Sequence, residues 1–259
     1  MLVHIAGLGG RTENPAAHED FLVSAFAESM ATALRLIVHA DPTLARTVAL
    51  SFAVSGSACA IAAVLGLPAG AGLAAAGFRG QRIVQLGLDT LLALPSVVVG
   101  LVVYLLLSRS GPLGAWGILF TPGAMVIAQT VLVVPVVAAL SRQVVADALR
   151  DGGDQLHSMG AGRLVAALLM LLHERWAVVT LLLIAFGRAI AEVGAVMIVG
   201  GNIDGVTRVM TTTIALETSK GDLPLAVALG IVLLAVVGLL NLAIALVPGS
   251  RGRQAADLR

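Results

Sequence analysis

The sequence predicts an all-α membrane protein with five membrane-spanning helices and a possible sixth near the N-terminus. First, 58% of the 259 residues are hydrophobic and only 12% are charged, whereas a soluble domain carries about a quarter charged residues. Second, five apolar stretches reach the roughly 20 residues that cross the hydrocarbon core of a bilayer. Third, the basic residues collect in alternate loops between those stretches, as they do in proteins with several spans.

The N-terminal region is predicted to lie outside the main membrane domain. Residues 1–20 form a polar tail that lacks the basic start and long apolar centre of a secretory signal. Residues 21–38 are apolar but contain Glu28 and Arg35, so they either cross the membrane or lie along its surface as an amphipathic helix. With the loop that follows, this helix accounts for residues 21–46.

The five stretches that follow are each long enough to span the bilayer. The first is interrupted in the sequence by Gly66, Pro68, Gly70 and Gly72, so a broken helix is expected there. The membrane domain is therefore placed at residues 47–247, with spans at 48–76, 88–107, 118–140, 176–200 and 224–247.

The distribution of arginine predicts the orientation of the spans, because cytoplasmic loops carry the excess of basic residues. Arginines are concentrated in 77–87, in 141–175 and in the C-terminal tail 248–259, and these segments are predicted to be cytoplasmic. In 108–117 and 201–223 the basic residues are fewer or are mixed with acidic ones, so these segments are predicted to face outside.

The cytoplasmic segment 141–175 contains glycines that permit sharp turns, at Gly152–Gly153 and again at Gly160 and Gly162. The pattern predicts a short helix over 154–159 and a second helix, with a stripe of leucines, over about 163–175. The short helix would stand in front of the membrane with His157 and Met159 directed outward.

Two charges lie within the fourth apolar stretch. Arg188 is about 18 Å along a helix from Trp176, near the middle of the membrane, where a lone charge costs on the order of 2.5–3.5 kcal/mol. Glu192 follows four residues later, so the two would share one helix face and could neutralise each other. Two interpretations stay open: a structural ion pair between helices, or the lining of a translocation path in which Arg188 attracts an anion.

The segment 201–223 is too polar to span a membrane and too apolar to be a free loop. Gly200 and Gly201 would let the chain fold back against the helix ends. Its hydroxyl and amide groups are neutral donors of the kind that bind tetrahedral oxyanions, although the same groups also hold helices together. The candidates at this outer mouth, with Arg208 as a steering charge, are Asn202, Thr207, Arg208, Thr211, Thr212 and Thr213.

The stretch "DQLHSMGAG" resembles the coupling loop of type I ABC importer permeases, whose pattern is Glu-Ala-Ala, three residues, Gly, nine residues and Ile-x-Leu-Pro. Asp154, Gln155 and Leu156 take the first three positions and Gly160 takes the glycine position, whereas His173 replaces the final proline. The resemblance implies that the ATPase-coupling loop consists of Asp154, Gln155, Leu156, His157, Ser158, Met159, Gly160 and Ala161.

Longer stretches, "SRSGPLG", "FTP", "GRAIAEVGAV", "GGNI" and "ALETSKGD", are similar to the tungstate-type subgroup of the molybdate/tungstate/sulfate permeases, over roughly residues 21–247. The resemblance implies a type I ABC importer transmembrane domain in the cell membrane. It implies a pair of permease subunits, two copies of a separate ATPase that holds ATP and Mg²⁺, and an extracytoplasmic binding protein that delivers the oxyanion. Molybdate or sulfate permeases of the same family are the alternatives to tungstate.

The chain itself is not expected to be an enzyme. Its only lysine, Lys220, lies in "TSKGD" and not in a Gly-x-x-x-x-Gly-Lys-Ser/Thr phosphate loop, and neither His-Glu-x-x-His nor Gly-x-Ser-x-Gly occurs. With one cysteine, Cys59, and no clustered histidines, no metal site, cofactor or nucleic-acid partner is predicted. A stand-alone secondary transporter is the alternative from another class, but such folds usually contain internal repeats, which are not evident here.

Overall fold

A computed structural model describes residues 30–35, 38–39, 41–76 and 80–247, which are mostly helical and contain no β-strand. Residues 30–35 are helical. The helices after them are labelled α1 (Pro42–Ala75), α2 (Gln81–Leu92), α3 (Ser96–Leu107), α4 (Pro122–Ser158), α5 (Arg163–His173), α6 (Arg175–Ile190), α7 (Gly194–Gly200), α8 (Met210–Lys220) and α9 (Leu223–Leu246). The predictions for 1–20, 248–259 and most of 21–38 lie outside the described residues.

Helix α1 begins at a well-defined cap. The Asp41 carboxylate accepts hydrogen bonds from the backbone N–H groups of Thr43 and Leu44, at 2.9 and 3.1 Å. Pro42 occupies the first turn, where its missing N–H costs no intrahelical bond. These residues therefore fix the start of the helix.

The predicted interruption of α1 is wrong, because the helix continues for 34 residues through Pro68. Its glycines serve close packing instead: a Cβ on Gly66 would lie 2.9 Å from Val137 Cβ, and one on Gly70 would collide with the Ala138 backbone oxygen. Small residues of this kind let membrane helices approach each other closely. Helices α1 and α4 consequently cross at short distance and form the centre of the fold.

Five candidate spans result only when bent helices are counted. Within the described residues, helices α1, α4 and α9 are each long and apolar enough to cross a membrane. The pairs α2–α3 and α5–α6, bent by 94° and 77°, bring the number there to five if each pair is one span. The span predicted over 88–107 corresponds to the end of α2 together with α3, and it is sharply bent. The chain turns between Leu92 and Ser96, where Pro95 disfavours helical geometry in the residue before it.

The interior contains mainly small apolar side chains, and large ones lie outside. Val54, Ala128 and Ala195 belong to a buried cluster that joins α1, α3, α4 and α7. On α9, by contrast, Leu234 and Leu239 are 74% and 65% exposed. A surface of large apolar side chains suits lipid and not water, and the all-α membrane class is confirmed.

Candidate translocation path and coupling segment

The predicted span 176–200 is interrupted, because α6 ends at Ile190 and α7 begins at Gly194. Glu192 lies in the break and its Oε1 accepts a hydrogen bond from the Ala195 backbone N–H at 3.2 Å. A carboxylate at this position satisfies a backbone donor that the first turn of a helix leaves free. The Glu192 carbonyl in turn accepts a hydrogen bond from Thr211 Oγ1 at 2.8 Å. Glu192 thus connects the break to α7 through its carboxylate and to α8 through its carbonyl.

The predicted neutralisation of Arg188 by Glu192 is wrong. Within the described part of the chain the ion pairs are Asp147–Arg150, Asp204–Arg208 and Glu217–Lys220. Arg188 is exposed and Glu192 is half-buried. Because the helix ends between the two residues, they do not share one helix face.

Arg188 and Glu192 nevertheless line the same small cleft, and Gln129 of α4 lines it with them. The Gln129 side chain is 3% exposed, and its Nε2 donates a hydrogen bond to the Ala189 carbonyl at 2.9 Å. Its Oε1 is buried and has no partner among the described residues. The sequence signal that could have identified Gln129 is a single amide inside an otherwise apolar span, since polar groups at that depth are costly and often functional.

The predicted turn after α7 is confirmed. Gly201 has φ +67° and Asn202 has φ +50°, a left-handed conformation that glycine and asparagine adopt most readily. The Thr207 hydroxyl stabilises the turn by donating to the Gly200 carbonyl at 2.6 Å and accepting from the Ile203 N–H at 2.9 Å. Beyond the turn, the segment predicted to fold back contains helix α8.

The threonines of α8 use their hydroxyls within the protein. Thr211 binds the Glu192 carbonyl as described, and Thr212 Oγ1 accepts a hydrogen bond from the Val209 N–H at 3.1 Å. Thr213 Oγ1 donates to the Val209 carbonyl at 2.7 Å. These bonds position α8. Among the residues of the predicted outer mouth, Asn202 Oδ1 and Arg208 Nε are buried atoms without a partner in the described structure.

The predicted coupling loop, residues 154–161, comprises the end of α4 and an exposed turn after it. Helix α4 ends at Ser158, and Gly160 has φ +86°, which explains why a glycine is needed there. His157 Nδ1 and the Ala161 carbonyl are 3.0 Å apart and close the turn, and Met159 is 82% exposed. The turn and the helix that follows it lie where the sequence predicts them.

The predicted break at Gly152–Gly153 is wrong, and the expected separate helix over 154–159 is the last part of α4. A Cβ on Gly152 would lie 2.9 Å from Met170 Cε of α5. The glycine therefore allows α5 to pack against α4 while the helix continues. Asp154 and Gln155 are exposed on this extension, and Leu156 is half-buried.

Known proteins resemble this chain over most of its length. The "Tungstate uptake system permease protein TupB" of Peptoclostridium acidaminophilum is 42% identical over 83% of this chain and 94% of that protein. The "Probable anion ABC transporter permease protein" of Haloferax volcanii is 45% identical over 73% and 84%. The tungstate permease of Campylobacter jejuni is 40% identical over 63% and 69%.

Permeases named for molybdenum and sulfate transport are 29% identical to this chain. No protein-family model matches the chain. The chain therefore belongs to the family of tungstate uptake permeases of the ABC transporters.

Proposed function

We propose that this chain carries tungstate into the cytoplasm as the membrane subunit of an ATP-driven importer, by alternating access. The observation that carries the proposal is the similarity to tungstate uptake permeases along most of the chain. Molybdate and sulfate are the alternative substrates, and the lower identity of the permeases named for them favours tungstate. In this role the chain moves an ion and makes or breaks no covalent bond.

The turn after α4 is the proposed contact with the ATPase. Its exposed face contains His157, Ser158, Met159 and Gly160, and hydrogen bonds within the turn fix its shape, including one from Ser158 Oγ to the Gln155 carbonyl at 2.8 Å. Because hydrogen bonds within the turn hold its shape, contact with another subunit can displace the turn without unfolding it. ATP and Mg²⁺ would be held by that ATPase, of which two copies serve a pair of permease subunits.

The two ends of α4 support the proposed orientation. At its start, the Phe120 N–H donates to the Val199 carbonyl at 3.0 Å, so α4 begins beside the turn at Gly201. Its other end, 37 residues along, is the coupling turn. The turn after Ser158 and the turn at Gly201 therefore lie at opposite ends of one long helix, which supports the proposed assignment of 141–175 to the cytoplasm and of 201–223 to the outside. A binding protein would deliver the anion to the second.

The cleft around Gln129, Arg188 and Glu192 is the proposed part of the translocation path within the membrane. Arg188 has no hydrogen bond or ion pair in the described structure and is therefore available to an anion. Water in the path would offset the cost of a charge at that depth.

The test is transport by the reconstituted system. Proteoliposomes that contain the permease, its ATPase and the binding protein are expected to accumulate tungstate when ATP is supplied on the side of the membrane where the ATPase lies. They are also expected to transport tungstate in preference to molybdate and sulfate. The control omits the ATPase. Accumulation without the ATPase, driven by an ion gradient, would contradict the proposal and identify a secondary transporter.

A further inference from the structure

A second polar cleft lies at the end of the protein where α1 begins. It has a volume of about 400 Å³ and is lined by Thr43, Arg46 and Thr47 of α1 and by Asp204, Gly205 and Arg208 of the segment after α7. We propose that this cleft binds a tetrahedral oxyanion and holds it before it enters the path through the membrane. The inference rests on the proposed function, because it assigns an entry site for the transported anion.

Helix α1 is joined to the start of α8, two residues after Arg208. The Ser51 hydroxyl of α1 accepts a hydrogen bond from the Met210 backbone N–H at 2.8 Å. Arg46 extends from α1 towards the opposite wall, with its Nη1 3.7 Å from the position that a Cβ on Gly205 would occupy. The cleft is thus a defined space between fixed walls.

Positive charge dominates the cleft. It contains two guanidinium groups, those of Arg46 and Arg208, and one carboxylate, that of Asp204. Arg208 Nη1 lies 3.2 Å from Asp204 Oδ1, but the Asp204 side chain is 73% exposed whereas that of Arg208 is 18% exposed. A guanidinium group offers five N–H donors, and Arg208 Nε is buried with no partner in the described residues. Arg208 is therefore only partly satisfied by an exposed carboxylate, which an incoming anion can replace.

Arg46 is exposed and makes no ion pair or hydrogen bond within the described part of the chain. Arginine binds the oxygens of oxyanions through two parallel N–H groups, so Arg46 and Arg208 together match a doubly charged tetrahedral ion. The backbone donors at the start of α1 are not part of this match, because Asp41 already occupies them.

Neutral donors complete the match. Thr47 is only 5% exposed, lines the cleft, and its hydroxyl has no hydrogen-bond partner among the described residues. At roughly 30 Å³ for each water, the cleft has room for the ion together with bridging water molecules, which bind nearly as well as direct contacts. Hydroxyl groups beside two arginines are the donor set that an oxyanion needs.

The test is a titration of the purified permease–ATPase complex in lipid nanodiscs with sodium tungstate, by calorimetry and without the binding protein. Wild type is expected to bind tungstate. Arg46→Gln is expected to weaken binding at least tenfold and Thr47→Val, which keeps the shape and charge, at least threefold. The matched control is Arg109→Gln, another exposed arginine in a segment predicted to face outside, and it should change the affinity less than twofold.

Three results would overturn the proposal. The first is that Arg46→Gln and Arg109→Gln bind tungstate with equal affinity, and the second is that wild type binds none of tungstate, molybdate and sulfate. The third is that Arg46→Gln weakens docking of the binding protein but leaves the affinity for tungstate unchanged. The last result would identify a contact for a protein carboxylate. Failure of the proposed function would give a different result. If the protein binds sulfate or molybdate in a way that depends on Arg46 but takes up no tungstate in proteoliposomes, tungstate is contradicted as the substrate and the cleft is supported as an oxyanion site.

Discussion

Replacing Gly160 with alanine tests whether the shape of the coupling turn transmits movement. Gly160 has φ +86°, and a residue with a Cβ in the left-handed region costs roughly 1–2 kcal/mol. A Cβ at this position would meet no atom within 4 Å, so the cost is conformational and not a clash. Gly162 supplies a matched control, because its φ is −69° and a Cβ there also meets no atom within 4 Å.

A cost of about 1–2 kcal/mol changes the population of the native turn by a factor of about 5–30. We expect Gly160→Ala to insert and assemble normally and to hydrolyse ATP, but to take up several-fold less tungstate for each ATP hydrolysed. Gly162→Ala should keep the wild-type ratio.

The measurement is the ratio of tungstate accumulated to phosphate released in proteoliposomes. Equal ratios for the two variants would refute the reasoning. Gly160→Asp, which adds a charge to the same turn, should uncouple the complex further, and unchanged transport by that variant would remove the turn from the mechanism.

Two further predictions concern α1 and α4. Gly70→Ala places a methyl group against a backbone oxygen of α4 and should destabilise the protein by about 1–3 kcal/mol. The control is Gly56→Ala on the same helix, whose added methyl group meets no atom within 4 Å. Similar melting temperatures of the two variants would contradict the close crossing of α1 and α4. Gln129→Leu removes a hydrogen bond worth about 1 kcal/mol together with an unpartnered acceptor, so stability should change little while tungstate uptake falls. Gln143→Leu, an exposed glutamine on the same helix, is the control, and equal uptake by both variants would remove Gln129 from the path.

Local sequence signals predicted the features that depend on the backbone or on overall polarity. The hydropathy of the chain predicted the membrane class. The turns at Gly160 and Gly201 were predicted because a positive φ is a property of the residue itself. The membrane class and these turns can be predicted from each residue and its immediate neighbours in the sequence.

Features that depend on packing could not be predicted in this way. Gly152 resembles a helix break, but α5 packs against it and the helix continues. Glu192 resembles half of an ion pair, but the start of α7 supplies a backbone N–H that binds its carboxylate. Gln129 bonds to a carbonyl 60 residues away in the chain, and a single sequence does not reveal a partner at that separation. In each case the deciding neighbour is remote in sequence.

The continuity of α4 has a mechanical consequence. At 1.5 Å per residue its 37 residues extend about 55 Å, well beyond the roughly 30 Å of the hydrocarbon layer. Gln129 and Met159 are about 45 Å apart along this helix, so a tilt of about 5° about the Met159 end displaces the glutamine by about 4 Å. Under the proposed function, the turn that contacts the ATPase and the glutamine that lines the path belong to one continuous helix, so movement at the turn would reach Gln129 without a relay through other helices.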